Sequence, residues 1–334
     1  MPIPDRIETS MVRPHVVLLG AGASLATLPE GDANGRKLPL LNNLAEVAGL
    51  SATLEGQGVL WRDRNFEDIY SELHEEPARA GLITQLEDQV REYFAELTLP
   101  ATPTIYDHLL LSLRSKDVVA TFNWDPLLVD AFARNQHRAP LPHLLFLHGN
   151  VRVGYCLVHK HMGLSDEKCS QCGEIYMQSR LLFPIKQKKY SADQFIAGQW
   201  EVLKQALKKA YLFTIFGYGA PSSDVEAVAL MREAWGLAGT REVEQVEIID
   251  LKPRAELEDT WKQFICRNHY GTYDDFYQTQ MARYPRRSCE SFFSSSMLNL
   301  PRQEFPIPKG LDLDGILRDL GPLIQDETTK GQST

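Results

Sequence analysis

The 334-residue chain lacks the features that would mark it for a membrane or for nucleic acid. No apolar run approaches the roughly 20 residues needed to span a bilayer, and MPIPDRIETS, residues 1–10, has neither the basic nor the apolar region of a signal peptide. A cytoplasmic protein without a membrane partner is expected. Positive charge is short too: 35 Lys and Arg stand against 44 Asp and Glu, a net charge of −9. Phosphate-backbone binding needs concentrated cations, so no direct nucleic-acid partner is expected. Cysteine is scarce and odd in number, five in all, which argues against a disulfide framework and makes the clustered ones candidate metal ligands. Internal repeats are missing. What remains, 43% apolar and 24% charged residues, is ordinary for a globular protein, and the length suits one large domain with an insertion.

Three strand-like stretches end in polar groups. In HVVLLGAGAS, His15 to Ser24, four apolar residues run unbroken into two glycines, as in a parallel strand covered on both faces. Gly20 and Gly22 permit a tight turn and close approach of backbone N–H groups to an anion, and a helix opening there would aim its dipole at the same anion. Two parts of the dinucleotide-binding fingerprint are missing. Leu25 stands where the third glycine would be, and no acidic residue closes a second strand about twenty residues on. A strand-to-helix turn without ligand remains the alternative. The second stretch, Asp117 to Phe122, leads into TFNWD, Thr121 to Asp125, where Asp125 either faces a ligand or caps a helix starting at Pro126. The third, His143 to Leu147, ends in His148, Gly149 and Asn150, and an imidazole at a strand end suits a general base.

CLVHKHMGLSDEKCSQC, Cys156 to Cys172, pairs C-x2-H with C-x2-C. Two knuckles of soft ligands make a tetrahedral zinc pattern, with Cys156, Cys169 and Cys172 as ligands, His159 as the fourth and His161 as its rival. Four protein ligands would leave no open position, so the expected role is structural. Downstream, FGYGAPSSD, Phe216 to Asp224, repeats the strand–glycine–helix logic, with Ser222, Ser223 and Asp224 suited to capping. Gln245 to Leu251 reads as another strand, and its Asp250 could accept hydrogen bonds from ribose hydroxyls.

GAGAS, TFNWD, LHGN, the cysteine module and FGYGAPSSD, in this order, resemble the sirtuin pattern over roughly residues 15–255. The likeness is nearer to divergent bacterial SIR2-like proteins of antiphage defence than to deacylases. The Phe-Arg that follows the cradle in deacylating sirtuins has no counterpart between Leu25 and Leu40, and the glutamine of the TQN motif is Phe122. In sirtuins the fourth zinc ligand is usually cysteine, so this module is a variant. The resemblance implies an α/β fold, a doubly wound, mostly parallel Rossmann-like sheet with a small zinc-ribbon-like insertion. It implies NAD as substrate and zinc as a structural ion. It implies that Gly20, Ala21, Gly22, Ala23, Ser24, Thr121, Asn123, Asp125, Gly217, Tyr218, Ser223 and Asp250 bind the dinucleotide, with Gly20, Gly22 and Ser24 on its phosphates. Asp125 would hold the nicotinamide carboxamide, Asn123 the water or ribose, and His148 would be the base. The expected reaction is hydrolysis of NAD to nicotinamide and ADP-ribose. The alternatives are NAD-dependent lysine deacylation and an NAD or ADP-ribose sensor. Such defence proteins commonly need a trigger, a companion protein or an oligomer, so one of these is expected.

The expected organisation is a leader, 1–14; the NAD-binding domain, 15–150 and 180–267; the zinc module, 151–179; and an appendage and polar tail, 268–334. Helices are expected at Asn65 to Leu73, Leu82 to Leu97, Thr104 to Leu113, Gln194 to Leu212 and Ala255 to Cys266. PEGDANGRK, Pro29 to Lys37, reads as a mobile segment or an ordinary connection. Lys186, Lys188 and Lys189 would form a solvated face or attract a polyanion. From 268 to 300 no period is evident. Aromatics interleaved with Arg283, Arg286 and Arg287 could dock a partner, against the better reading of a helical appendage packed on the core. In the tail an amphipathic piece, Leu311 to Leu323, precedes a disordered end.

Overall fold

A computed structural model describes residues 11–185 and 190–331. The three lysines 186, 188 and 189 lie outside these, as do the first ten residues of the expected leader. The first half of the chain runs β1 (His15–Leu19), α1 (Ala21–Thr27), α2 (Leu44–Val47), α3 (Ser51–Gly56), α4 (Phe66–His74), α5 (Ala80–Ala95), α6 (Ile105–Ser112), β2 (Val118–Thr121), α7 (Leu127–Asn135) and β3 (His143–Phe146). Then come β4 (Val153–Tyr155), β5 (Met162–Leu164), β6 (Met177–Gln178), α8 (Gln194–Lys209), β7 (Leu212–Phe216), α9 (Val225–Trp235), β8 (Gln245–Ile249), α10 (Arg254–Trp261), β9 (Tyr270–Tyr273), α11 (Gln280–Arg283), α12 (Ser288–Met297) and α13 (Leu313–Gly331).

Six strands form one sheet in the order β3-β2-β1-β7-β8-β9, every pair parallel. β1 is its centre. Val17 and Leu19 pack into one core with α4, α5 and α6, while Val16 and Leu18 pack into another with α8 and α9. Each of the four is fully buried, and each removes about 1.5–3 kcal/mol of apolar surface from water. That two-sided burial is why the strand does not alternate polar with apolar. The chain leaves β1 toward β2 on one side and later adds β7 on the other, so the topology reverses at β1. Ligands bind in the crevice such a reversal opens at the carboxyl ends of the strands. The fold is the expected doubly wound α/β one, with β4, β5 and β6 as a small antiparallel sheet beside it.

Helix starts follow the chemistry expected of them. The Asn65 side chain accepts from Glu67 N at 2.9 Å, and Thr104 with Asp107 forms a capping box. Of the two readings of Pro29 to Lys37, the hydrogen bonds favour an ordinary connection, pinned at several points. Asp32 accepts from the backbone of Asn34, Arg36 and Thr98, Arg36 pairs with Glu96, and Tyr93 donates to Lys37 O.

The C-terminal region departs most from expectation. β9 adds an edge strand where no period was read, and α13 continues through Pro322 to Gly331 where disorder was expected. Arg286 and Arg287 are buried, not offered to a partner. The Arg286 guanidinium donates to the carbonyls of Leu111, Leu113 and Pro140 and forms an ion pair with Glu327 of α13 at 2.5 Å. Buried arginine needs this many acceptors, and the chain folds back over α6 to supply them. Met281, Ile307, Ile316, Leu320 and Leu323 complete that side's core, as the appendage reading anticipated.

Candidate active site and metal centre

The carboxyl ends of β1, β2, β3, β7 and β8 open on one cavity of about 750 Å³, within the usual ~300–1,000 Å³ of small-molecule sites. Gly20, Ala21, Gly22, Ser24, Asn123, Asp125, His148, Gly217, Tyr218, Ser223 and Asp250 all line it. Of the residues expected at the dinucleotide, Ala23 and Thr121 do not. Ala23 packs in the core behind α1, and Thr121 Oγ1 accepts from Asn123 N at 2.9 Å, shaping the turn. Leu38, Pro39, Leu40 and Leu41 supply an apolar wall.

The glycines also serve a structural purpose that the sequence did not show. Gly20 N donates to Phe216 O, Gly22 N to Gly217 O and Ala23 N to Gly20 O, each at 2.9 Å, so these amides are taken by the protein. What glycine provides is contact between two backbones. A Cβ on Gly217 would lie 2.3 Å from Ala23 N, and its φ of +61° is left-handed. Gly217→Ala is expected to cost about 2 kcal/mol or more in chemical denaturation, against a few tenths for Gly219→Ala, where nothing lies within 4 Å.

That seam sets Ser24 against the TFNWD turn. The Ser24 hydroxyl donates to Asp125 Oδ2 at 2.6 Å and accepts from Asn123 Nδ2 at 2.9 Å. Asn123 Nδ2 also donates to Gly20 O at 2.8 Å. Ser24 has one hydrogen, given to Asp125, so the Tyr106 hydroxyl at 2.7 Å donates to it. Burial pushes the Asp125 carboxyl up to about 6, with Ser24 and the Leu127 amide opposing. Burial, with Asp125 beside it, keeps the Tyr106 phenol protonated. Ligand binding and helix capping were alternatives for Asp125. Its Oδ1 accepts from Leu127 N at 3.2 Å while Oδ2 belongs to the cavity network, so one carboxylate serves both ends.

On the opposite wall the His148 imidazole lies edge-on to Phe122, centroids 4.6 Å apart, and stacks on Tyr190 at 5.7 Å. Its Nε2 is 3.0 Å from the Tyr190 hydroxyl and 3.9 Å from Asp224 Oδ1. Phe122 also stacks on Tyr218, at 4.3 Å. Gly149 follows the histidine with φ +77° because the Arg180 carbonyl passes where a Cβ would stand. Asp224 precedes α9 without capping it and accepts from the Tyr218 hydroxyl at 2.9 Å. Ser223 Oγ and Trp124 Nε1 line the cavity, buried and with no hydrogen-bond partner among the described residues. Groups left so are what a ligand would satisfy.

Sequence reasoning missed Tyr106, Tyr190 and the place of Asp224 in the site. The first two sit in helical or irregular stretches with no motif, and Asp224 was legible only as a cap.

The metal donors converge as spaced. Cys156 Sγ lies 3.7 Å from Cys172 Sγ and 3.6 Å from His159 Nδ1, and Cys169 Sγ is 3.5 Å from the same nitrogen. Tetrahedral zinc with bonds of about 2.0–2.3 Å requires donor separations of roughly 3.5–3.8 Å. All four donor atoms fall within 4.8 Å of one another, with His159 rather than His161 as the fourth. The knuckles close through Lys160 N to Cys156 O and Gly173 N to Cys169 O, both 2.8 Å. Backbone N–H groups of Cys172 and Gln171 bring the Cys169 thiol down to about 6, favouring the thiolate. The set fits a closed structural zinc site.

No family model matches the chain, and no curated protein matches it. Solved structures do. Those it is similar to are Sir2 enzymes. A Sir2 homolog–NAD complex is 14% identical at a TM-score of 0.40, covering 93% of this chain and 90% of that one. A structure described as the basis for the mechanism and regulation of Sir2 enzymes is 17% identical, TM-score 0.38, covering 77% and 88%. A Sir2–p53 peptide–NAD+ complex is 15% identical, TM-score 0.35, covering 86% and 93%. Among the described residues no helix is long and apolar enough to cross a membrane.

Proposed function

We propose that this chain hydrolyses the nicotinamide N-glycosidic bond of NAD to nicotinamide and ADP-ribose. The observation that carries the proposal is the facing of two buried polar clusters across one cavity at the sheet's switch point: Ser24, Asn123 and Asp125 on one wall, His148 with Asp224 on the other. The pyridinium is already a good leaving group, so the protein must orient the bond and support an oxocarbenium-like ribose. Asp125, ionised at neutral pH, accepts the carboxamide N–H and lies where positive charge develops. Asn123 positions the water or ribose, and His148 takes the proton. Asp250, just past β8, accepts from the adenosine ribose. Phe122, packed between His148 and Tyr218, puts an apolar ring in the turn where deacylating sirtuins carry glutamine, which favours water over an acyl oxygen as the acceptor.

The domain division stated from the sequence belongs to the same proposal: residues 15–150 with 180–267 form the catalytic unit, and 151–179 a metal-stabilised module. So do a cytoplasmic setting, a role in antiphage defence, and activation by a companion protein or by self-association.

Incubating the protein with NAD alone and following nicotinamide and ADP-ribose by chromatography tests the reaction. Asn123→Ala and His148→Ala are each expected to lower the rate by about 100-fold or more. Product that appears only with an acylated peptide would establish deacylation instead. Calorimetric NAD binding without turnover, with or without the peptide, would establish a sensor.

A further inference from the structure

His148 has a buried partner chain that its role as a base does not by itself require. The Tyr190 hydroxyl is 3.0 Å from His148 Nε2 and is also hydrogen-bonded to the Asp224 carboxylate, which accepts from Tyr218 as well. Tyr190 and Asp224 come from either side of α8 and β7, and both are buried. The chain has one polarity. A carboxylate only accepts, so the Tyr190 O–H points at Asp224 and the Tyr190 oxygen is left to accept from His148 Nε2–H. Burial and the nearby Asp224 and Glu226 hold the Tyr190 phenol far above its usual range, so it relays as a neutral hydroxyl.

We propose that Asp224, acting through the Tyr190 hydroxyl, is a positioning residue for His148: it fixes the imidazole hydrogen on Nε2 and leaves Nδ1 as the nitrogen that takes a proton. The proton accepted during water attack then resides on Nδ1, and the resulting imidazolium is stabilised by Asp224 3.9 Å from the ring's other nitrogen. Among the described residues, Tyr190 and Asp224 are the titratable groups at His148 Nε2, and on the β2 side the ring meets Phe122, which does not ionise. This inference rests on the reading of His148 as the base, but its test does not.

The test is imidazole ¹⁵N NMR of ligand-free protein across pH, with Asp224→Asn, Tyr190→Phe and Tyr218→Phe. Tyr190→Phe keeps the rings stacked on His148 and Trp200 and removes only the relay oxygen. The parent is expected to show neutral His148 as the Nε2–H tautomer. Asp224→Asn and Tyr190→Phe should each give a mixed tautomer, with titration about one pH unit lower. Tyr218→Phe, which removes a hydrogen bond to Asp224 and keeps the ring stacked on Phe122, should keep the parent tautomer. With NAD, the acid limb of kcat/KM should move down with the NMR titration in the first two variants. An Nδ1–H tautomer in the parent, or unchanged titration in Tyr190→Phe, would overturn the proposal. If Asp224→Asn does not fold, Tyr190→Phe decides the same link. If His148→Ala keeps full NAD cleavage, the base assignment falls while the NMR result still judges the relay.

Discussion

Asp125→Asn is expected to yield a protein more stable at pH 7 than the parent and much slower in NAD cleavage. The native carboxyl titrates at about 6 because burial disfavours its charge, whereas its ordinary value is 3.8. The native state therefore binds this proton more tightly than the unfolded chain. Stability is highest below pH 4, falls as pH rises from about 4 to about 6, and stays lower above that by up to about 3 kcal/mol. Asparagine carries no charge and still offers an oxygen to the Leu127 amide. Denaturation curves of parent and variant should therefore nearly converge near pH 4 and separate by about 1–3 kcal/mol at pH 7. Their difference isolates Asp125 from Glu247, another buried acid, which burial raises to about 7 and which is common to both. Curves parallel at every pH would refute this account. Cleavage should drop by about 100–1,000-fold, because in the proposed reaction the charge that costs stability is the one that supports the developing cation.

Removal of the metal should have the larger structural effect. Cys172→Ser is expected to take zinc content from one ion per chain to none, measured by atomic emission. For a closed thiolate–imidazole site the binding free energy, on the order of 10 kcal/mol, is folding free energy of the module. The damage should reach the main domain. Val153 and Tyr155 of β4 pack in the core under α8, with Tyr155 stacked on Phe195 at 4.7 Å, and Ser179 is hydrogen-bonded to Asn150 beside the histidine turn. Hydrogen exchange should quicken first across 153–178 and then at α8. Exchange of zinc for cadmium, which also accepts tetrahedral thiolates, should leave cleavage within about twofold, since a closed site performs no chemistry. A large change in rate on that exchange would assign the ion to the reaction.

The parts legible in the sequence were those whose chemistry is local. An unbroken apolar run into glycines announced β1, paired cysteines announced the metal site, and Asn65 and Thr104 announced their helices. Illegible were the contacts between distant segments. Gly22 must lack a Cβ because of Gly217, some two hundred residues away, and no local pattern says so. The isolated sequence therefore suggested a phosphate cradle and gave no sign of the backbone seam built from the same glycines. Tyr106 and Tyr190 look like ordinary core aromatics until folding brings Ser24 and His148 to their hydroxyls. Arg286 and Arg287 could be read as a docking set because arginine is usually exposed, and α13 was cut short because the residues after Ile324 are polar. What orders the remainder is the ion pair between Glu327 and Arg286. β9, half-buried at the sheet's edge, left no alternation to read.

The strand order also governs when this protein can act while it is being made. β1 emerges from the ribosome first, yet its partners are β2, about a hundred residues later, and β7, about two hundred. Such long-range pairing is slow and must await synthesis of the distant strand. The seam between Gly22 and Gly217, the ring of Tyr218 and the carboxylate of Asp224 are all absent from a nascent chain that stops before residue 216. An unfinished polypeptide thus carries the first glycine turn, the TFNWD turn and His148 without the wall that faces them, and the cavity is complete only once the chain has been made past Asp224.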